Sequence, residues 1–418
     1  MDNNDLNDFP MFPGDVKIFA STVEPEVHGQ IYRLMSVGAF RDAKIRIMPD
    51  THTGVGCVIG FTANLGDKVV PNLVGVDIGC GMLVQCLGHV DTDLPALDRF
   101  IREHIPAGKS VNEVQGTRVE FPELEDMRMY RHLRNITHLQ SSIGSLGGGN
   151  HFIELDKDSA GNVYLVIHSG SRNLGQQVCK YYQKLAIEQC NKHSADISRE
   201  IKATIAQLKA EGRQKESSKA IKEIKEKYGC MDRVPADLCY LTGELRDDYL
   251  HDMAICQEFA RRNREEIARR IFKHIGWAGE WGFHTVHNYI DFTDNIIRKG
   301  AIRCRREEMV IIPLNMRDGS ILAKGRGNED WNCSGPHGAG RLMSRSKAKE
   351  SISMKEFKDS MKGIYTTSVN KNTIDESPMA YKDSNEIINA IKDTVDIVDI
   401  IKPIYNFKAS ESDGDYRK

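Results

Sequence analysis

The chain has 418 residues, 28% of them charged and 40% hydrophobic, and a formal net charge of −2. That length builds a sizeable core unaided, the composition is that of an ordinary soluble globular protein, and the near-zero charge excludes a surface that is basic throughout while leaving room for a local basic groove. No apolar stretch reaches membrane-spanning length, the acidic start MDNNDLNDFPMFPGD lacks the features of a secretory signal, and ten cysteines without CxxC pairs are expected to be reduced thiols of a cytoplasmic protein.

Residues 1–22 read as an N-terminal extension. To about Leu155 short apolar runs alternate with glycine-rich turns, and KIRIMPDTHTGVGCVIGF and KVVPNLVGVDIGCGMLVQCL each read as strand, loop, strand. VYLVIHSGSRNLG reads as a buried strand that breaks into Ser-Gly-Ser, and QQVCKYYQKLAIEQC as a helix. Residues 197–228 are rich in Lys, Glu and Ala at helical spacing and predict a solvated helical hairpin insertion broken near Gly212. DDYLHDMAICQEFARRNREEIARRIFKHIG predicts an amphipathic helix ending at Gly276. Strands return in FHTVHNYIDF, KGAIRC and MVIIPL, and GAGRLMSRSKAKESISMKEF reads as a helix that begins just after Pro336. The polar tail 409–418 is expected to fray. Strand-rich blocks around a helical middle predict one α+β domain over residues 23–408, with the hairpin as an insertion.

Five segments place a His, Cys or Asp beside glycines or at the end of an apolar run. They hold Asp77 and Cys80 in GVDIGCGM, His151 in GGGNHFIE, His168 in VIHSGSR, His287 in VHNY and His337 in SGPHGAGR. A thiolate, imidazoles and a carboxylate together suit borderline divalent metals, and the lack of paired cysteines favours a catalytic site over a structural zinc. A cysteine sulfur can bridge two ions, so a two-metal site of the kind that serves phosphoryl chemistry is open. In FHTVHNY a strand would turn His284 and His287 to opposite faces, and His287 is the one expected at the site. SLGGGNH offers consecutive backbone N–H groups, as an anion nest requires. A helix starting after Pro336 would put His337 at its N-terminus, where anions bind and a neutral ring is favoured; a neutral ring facing phosphate is what a histidine nucleophile needs. Arg341 and Arg345, four apart, are expected on one face of that helix to hold further phosphates. Asp50 and His52, in another glycine-rich loop, are candidates for supporting or substrate-side groups.

MPDTHTGVG, GVDIGCGM, GGGNHFIE, HSGSRNLG, HNY, KGA, HGAGRLMSR and AYKD occur in the order of the RtcB-type RNA-splicing ligase family, which the chain resembles from about Val23 to Lys408. The resemblance implies a single domain with mixed sheets around a central metal site. It implies a ligase that joins RNA ends bearing a 2′,3′-cyclic phosphate or 3′-phosphate to 5′-hydroxyl ends, with GTP and two Mn²⁺ ions. Carried over by motif, His337 is the nucleophile that becomes guanylylated and Cys80 bridges the two ions. His168 and His287 complete one ion's ligands, Asp77 and His151 the other's. Asn150 contacts the nucleotide phosphates, Glu154 the guanine edge, Tyr381 stacks on the base and Lys408 reaches guanine. Arg172 and Arg345 bind RNA phosphates. The resemblance leaves an archease-like activator open as a partner, and expects no membrane. The chain departs from the common pattern at Leu314-Asn315-Met316-Arg317, at Pro336 and at Asn173. The alternative is a metal-dependent phosphoesterase or nuclease acting on RNA ends without guanylylation, which has no need of His337.

Overall fold

The computed structural model describes residues 12, 14–37, 39–112, 119–228 and 234–409. β1 (Val16–Ile18), β2 (Ile45–His52) and β3 (Ile59–Asn64) begin one sheet, and β4 (Gly81–Gly88), β5 (Phe152–Lys157) and β6 (Val163–Ser169) begin a second. β7 (Trp281–Val286) joins the second sheet, while β8 (Asn288–Asp291) and β9 (Ile296–Lys299) return to the first. β10 (Ala301–Arg303) opens a two-stranded ribbon, β11 (Met309–Asn315) and β12 (Gly319–Gly325) extend the second sheet, β13 (Ser334–Pro336) completes the ribbon, and β14 (Val395–Lys408) inserts between β12 and β5. The larger sheet therefore runs β11-β12-β14-β5-β6-β4-β7, antiparallel throughout, and the smaller β1-β2-β3-β9-β8 is mixed through its parallel β1–β2 pair. This is the α+β architecture expected from the strand-rich ends and helical middle. Val16–Ile18, inside the stretch read as an extension, pair with Ile45–Ile47.

α1 (Pro25–Ser36), α2 (Leu94–His104) and the short α3 (Ile136–Ser141) precede the helical middle. There α4 (Arg172–Ala210) runs on through 39 residues, turns at Gly212 in the left-handed region (φ 71°) and returns as α5 (Ser217–Tyr228). α6 (Gly243–Ile275) ends on Gly276 at φ 82°, the left-handed cap that favours glycine. Its stripe of Tyr249, Met253, Cys256 and Phe259 packs with Leu174, Val178 and Tyr182 of α4 into the largest apolar cluster, and Ile267 and Ile271 lie against Leu165 and Ile167 of β6. Arg264 stands in the same stripe but is charged and buried. It donates to the carbonyls of Gly79 and Ser169 at 2.8 Å each, so one guanidinium fixes the turn before β4 and the end of β6. Among the described residues no helix is long and apolar enough to cross a membrane. The tail from 410 lies outside the described residues, and Ala409 is buried.

The segment after Pro336 is not the helix that its composition suggests. β13 carries Pro336, residues 337–344 have no helix, and α7 (Arg345–Ser351) begins only at Arg345, followed by α8 (Met354–Ser360) and α9 (Ser384–Ala390). Gly340 sits at φ 74° against the Asp50 backbone, where a Cβ would approach Asp50 O to 2.8 Å. A helix cannot continue through that conformation. The start signal is Ser344, whose side chain accepts from Lys347 N. Arg341 and Arg345 therefore do not share a helix face. His337 owes its setting to a strand end, not to a helix dipole.

Candidate active site

The antiparallel register brings the start of β4, the start of β5, the end of β6 and the end of β7 to one edge of the large sheet. Gly81 pairs with Ser169 on one side and Val286 on the other, and Phe152 pairs with His168. The side chains just before β4 and β5 and just after β7 thus meet those at the end of β6. Gly81 has to be glycine, since a Cβ there would come within 2.5 Å of Thr285 O. Backbone bonds lock the junction: His287 N donates to Cys80 O at 2.9 Å and Gly79 N to Asn288 O at 2.7 Å.

Two triads of ligand atoms result, Cys80–His168–His287 and Asp77–Cys80–His151, each with its atoms within 4.8 Å of one another. Cys80 Sγ lies 3.2 Å from His168 Nε2 and 3.5 Å from His151 Nε2, His168 Nε2 is 3.4 Å from His287 Nε2, and His151 Nε2 is 3.2 Å from Asp77 Oδ2. His168 Nδ1 faces the Asn150 carbonyl at 3.2 Å and is set to donate to it, which turns the Nε2 lone pair inward. Lone pairs of two imidazoles and a sulfur converging at these distances suit a cation between them. The donor set therefore fits two divalent ions of borderline softness that share the thiolate. Without a cation, burial and then the Asp77 charge hold the Cys80 thiol well above its usual range. Burial keeps His168 and His287 well below the imidazole range. Desolvation works against ionised Asp77, but the His151 hydrogen bond and charge outweigh it and leave the carboxyl at about 2. Neutral imidazoles and an ionised carboxyl are ready ligands; the thiol must give up its proton on binding.

Gly170, just past β6, approaches this carboxylate so closely that a Cβ there would overlap Asp77. Gly170→Ala is expected to displace Asp77 and weaken metal retention by about 10–100-fold, the range for disturbed ligand support. Metal analysis after dialysis at graded free Mn²⁺ reads this; unchanged retention would free Asp77 from the ligand role.

His337 stands beside the triads, its ring 5.1 Å from that of His287. Asp50 Oδ2 accepts from His337 Nδ1 at 2.6 Å, from His337 N at 3.0 Å and from Gly338 N at 3.2 Å. Asp50 is fully buried and thereby holds the ring as the tautomer with its Nε2 lone pair free. Asp50→Ala is expected to slow any attack by His337 by roughly 10²–10⁴-fold, the worth of a positioned proton partner. Asp50→Asn should cost less, because an amide oxygen can take the same three donors. Single-turnover labelling rates compare the two, and equal losses would assign the effect to the charge of Asp50 and not to the three hydrogen bonds it accepts. His52, also on this strand, lines the cavity, with burial drawing its ring below the usual range.

A cavity of about 220 Å³ opens from His168, His287 and His337 towards Asn150, Glu154 and Lys408. Its far wall is Tyr381, Arg341 and Arg345, and Pro313 to Met316 form another side. The departures at Leu314, Asn315 and Met316 thus fall on the cavity wall. Glu376 ties the far wall together. It accepts from Tyr381 Oη at 2.6 Å and pairs with Arg345 at 2.8 Å, Lys408 at 3.0 Å and Arg341 at 3.3 Å. Burial raises its carboxyl, yet Lys408 and Arg345 outweigh this and bring it to about 2. Arg345 also pairs with Asp375 at 2.8 Å. Arg172 opens α4 in the left-handed region at φ 56° and donates to Gly108 O at 2.8 Å, near His151.

The structure thus gathers Asp77, Cys80, His151, His168, His287 and His337 at one sheet edge, and Asn150, Glu154, Tyr381, Lys408 and Arg345 around the adjoining cavity. His284 faces away, towards α6: Arg264 Nε donates to its Nδ1 at 3.3 Å and its Nε2 lies 3.3 Å from Glu265. Glu376 and Arg264 were not singled out by sequence reasoning. Arg264 was legible, being in line with Ala260, Ile267 and Ile271 at helical spacing; Glu376, in IDESPMAYKD, carried no pattern of its own.

A family model described as "tRNA-splicing ligase RtcB" matches residues 30–135 and 124–409. The RNA-splicing ligase RtcB of Escherichia coli (strain K12) is 29% identical over 86% of this chain and 88% of its own. The tRNA-splicing ligase RtcB of Aeropyrum pernix is 26% identical, with 82% of each chain covered.

Proposed function

We propose, from a chain that belongs to the RtcB family and is an RNA ligase, that it joins 2′,3′-cyclic-phosphate or 3′-phosphate RNA ends to 5′-hydroxyl ends with GTP, two Mn²⁺ ions and a covalent histidine–GMP intermediate. The observation that carries this reading is one buried thiol common to two donor triads, set beside a histidine whose second nitrogen is held by a buried acid.

In this scheme Cys80, His168 and His287 hold one ion, and Cys80, Asp77 and His151 the other. Bound there, the ions neutralise phosphate oxygens and align in-line displacement. His337 Nε2 attacks the α-phosphate of GTP, forming an N–P bond as pyrophosphate leaves. Asp50 keeps the proton on Nδ1 and balances the cationic ring of the adduct. The 3′-phosphate of RNA then takes GMP from His337, and the 5′-hydroxyl of the second end attacks the activated phosphate and expels GMP. A cyclic phosphate is opened by hydrolysis beforehand. In the same scheme Asn150 contacts the nucleotide phosphates, Glu154 and Lys408 meet the guanine edge, and Tyr381 stacks on the base; that all four line one cavity supports this. Arg172 and Arg345 supply cations for RNA phosphates; Arg345 would trade its acids for them. The nine described cysteines form no disulfide, and a reducing cytoplasm is the setting that suits a thiolate ligand. The test is covalent transfer of label from α-labelled GTP to the protein, followed by chase into RNA.

A further inference from the structure

We infer that Asn406 is a positioning residue for base recognition: its side-chain amide holds Glu154 as a carboxylate that accepts the N–H groups of guanine. The inference rests on the guanine reading above and adds to it a residue to which the resemblance assigns no role.

Glu154 is 4% exposed and reaches the cavity from β5. Asn406, fully buried, lies directly opposite it in the β5–β14 pairing, and its Nδ2 donates to Glu154 Oε1. Of the charged groups around Glu154, Lys408 draws its carboxyl down through its charge, ahead of the Asn406 hydrogen bond, and the others are engaged elsewhere. Lys408, on β14, has its ammonium 3.0 Å from Glu376. Arg341 and Arg345, across the cavity, are likewise paired with Glu376, to which Tyr381 also donates. His168, from β6, is held neutral by burial. Asp156, two residues on along the same face of β5, is fully buried and neither oxygen has a protein partner. Burial, then the charge of Glu154, pushes Asp156 well above the carboxylate range, so it keeps its proton.

Among the described residues Asn406 is the one direct donor to the side chain of Glu154. Burial raises its carboxyl to about 7 against the pull of Lys408 and Asn406. Guanine presents two adjacent donors, N1–H and the 2-amino group. An ionised carboxyl accepts from both, whereas a protonated one turns an O–H where an acceptor is needed. Guanine binding must therefore strengthen as pH rises through the Glu154 transition, and loss of the Asn406 donor must move that transition upward.

The test is calorimetric titration of the full chain with GMP from pH 6 to 9, for wild type, N406L and the shorter-donor variant N406S. Because all three meet the same ligand, the titration of its own phosphate cancels in the comparison. Wild type should bind about tenfold more weakly at pH 6 than at pH 8, as one proton governs binding. N406L should have its midpoint about one unit higher, with binding about fivefold weaker at pH 7 and wild-type affinity regained at pH 9. N406S should shift the same way by less, and it serves as the readout where the leucine variant melts early. Variant curves that overlay wild type, or a loss equal at every pH, would overturn the role of Asn406 alone. A wild type that binds no GMP at any pH while binding another nucleotide would overturn the guanine reading and the inference with it.

Discussion

His337→Ala will carry no covalent label after incubation with α-labelled GTP and Mn²⁺, while wild type is labelled and releases its label to 3′-phosphate RNA. Ligation should fall by about 10⁴-fold or more, because removing a nucleophile removes the pathway and not one contribution to it. The geometry makes the outcome specific. Nδ1 of this ring is committed to Asp50 at 2.6 Å, and the neighbouring His287 and His168 point their Nε2 atoms at each other and at Cys80. His337 Nε2 is therefore left to meet phosphorus, while the Nε2 atoms of its imidazole neighbours belong to the triads. Its removal should leave the metal triads in place, so metal content must stay at the wild-type level. Label that persists on the variant would move the nucleophile elsewhere. Absence of label on wild type with any nucleoside triphosphate, with RNA ends hydrolysed instead, would favour a phosphoesterase.

Cys80→Ala has the opposite signature, in metal before chemistry. Its sulfur belongs to both triads, so the substitution takes a ligand from each ion at once. Bound Mn²⁺ should fall from about two ions per chain towards none, with a loss of affinity beyond the roughly 10–100-fold typical of an outer partner. His168→Ala touches one triad only and should leave about one ion. Metal analysis after gel filtration distinguishes them: equal losses from the two variants would contradict a shared thiolate. Both proteins should fold, since Cys80 contributes little apolar bulk beside the sheet that frames it.

Much of this site was readable from order and context. Short polar motifs at the ends of apolar runs gave the positions of Asp77, Cys80, His151, His168 and His287, because an antiparallel sheet gathers alternate strand ends at one edge. The two-residue periodicity of strands also separated His284 from His287. The misreading after Pro336 came from composition. Residues 338–351 are rich in helix formers, but Gly340 presses on the Asp50 backbone and its neighbours give their N–H groups to Asp50, a contact 287 or more residues distant in sequence. Tertiary contacts of that span override local propensity. Glu376 and Asn406 were invisible for the same reason. Each is an ordinary polar residue whose meaning comes from what lies across the sheet or the cavity.

The junction where β4 runs between β6 and β7 has a consequence for how the protein matures. No triad can exist until the ends of three strands and the turn before β4 are in register, and a shift of one residue turns Met82 or His168 to the wrong face. Ligation free energy is thus gained only by correctly paired chains, and added metal stabilises that register over every slipped one by mass action. Ions held there would act as proofreaders of topology during assembly, before they ever met a phosphate.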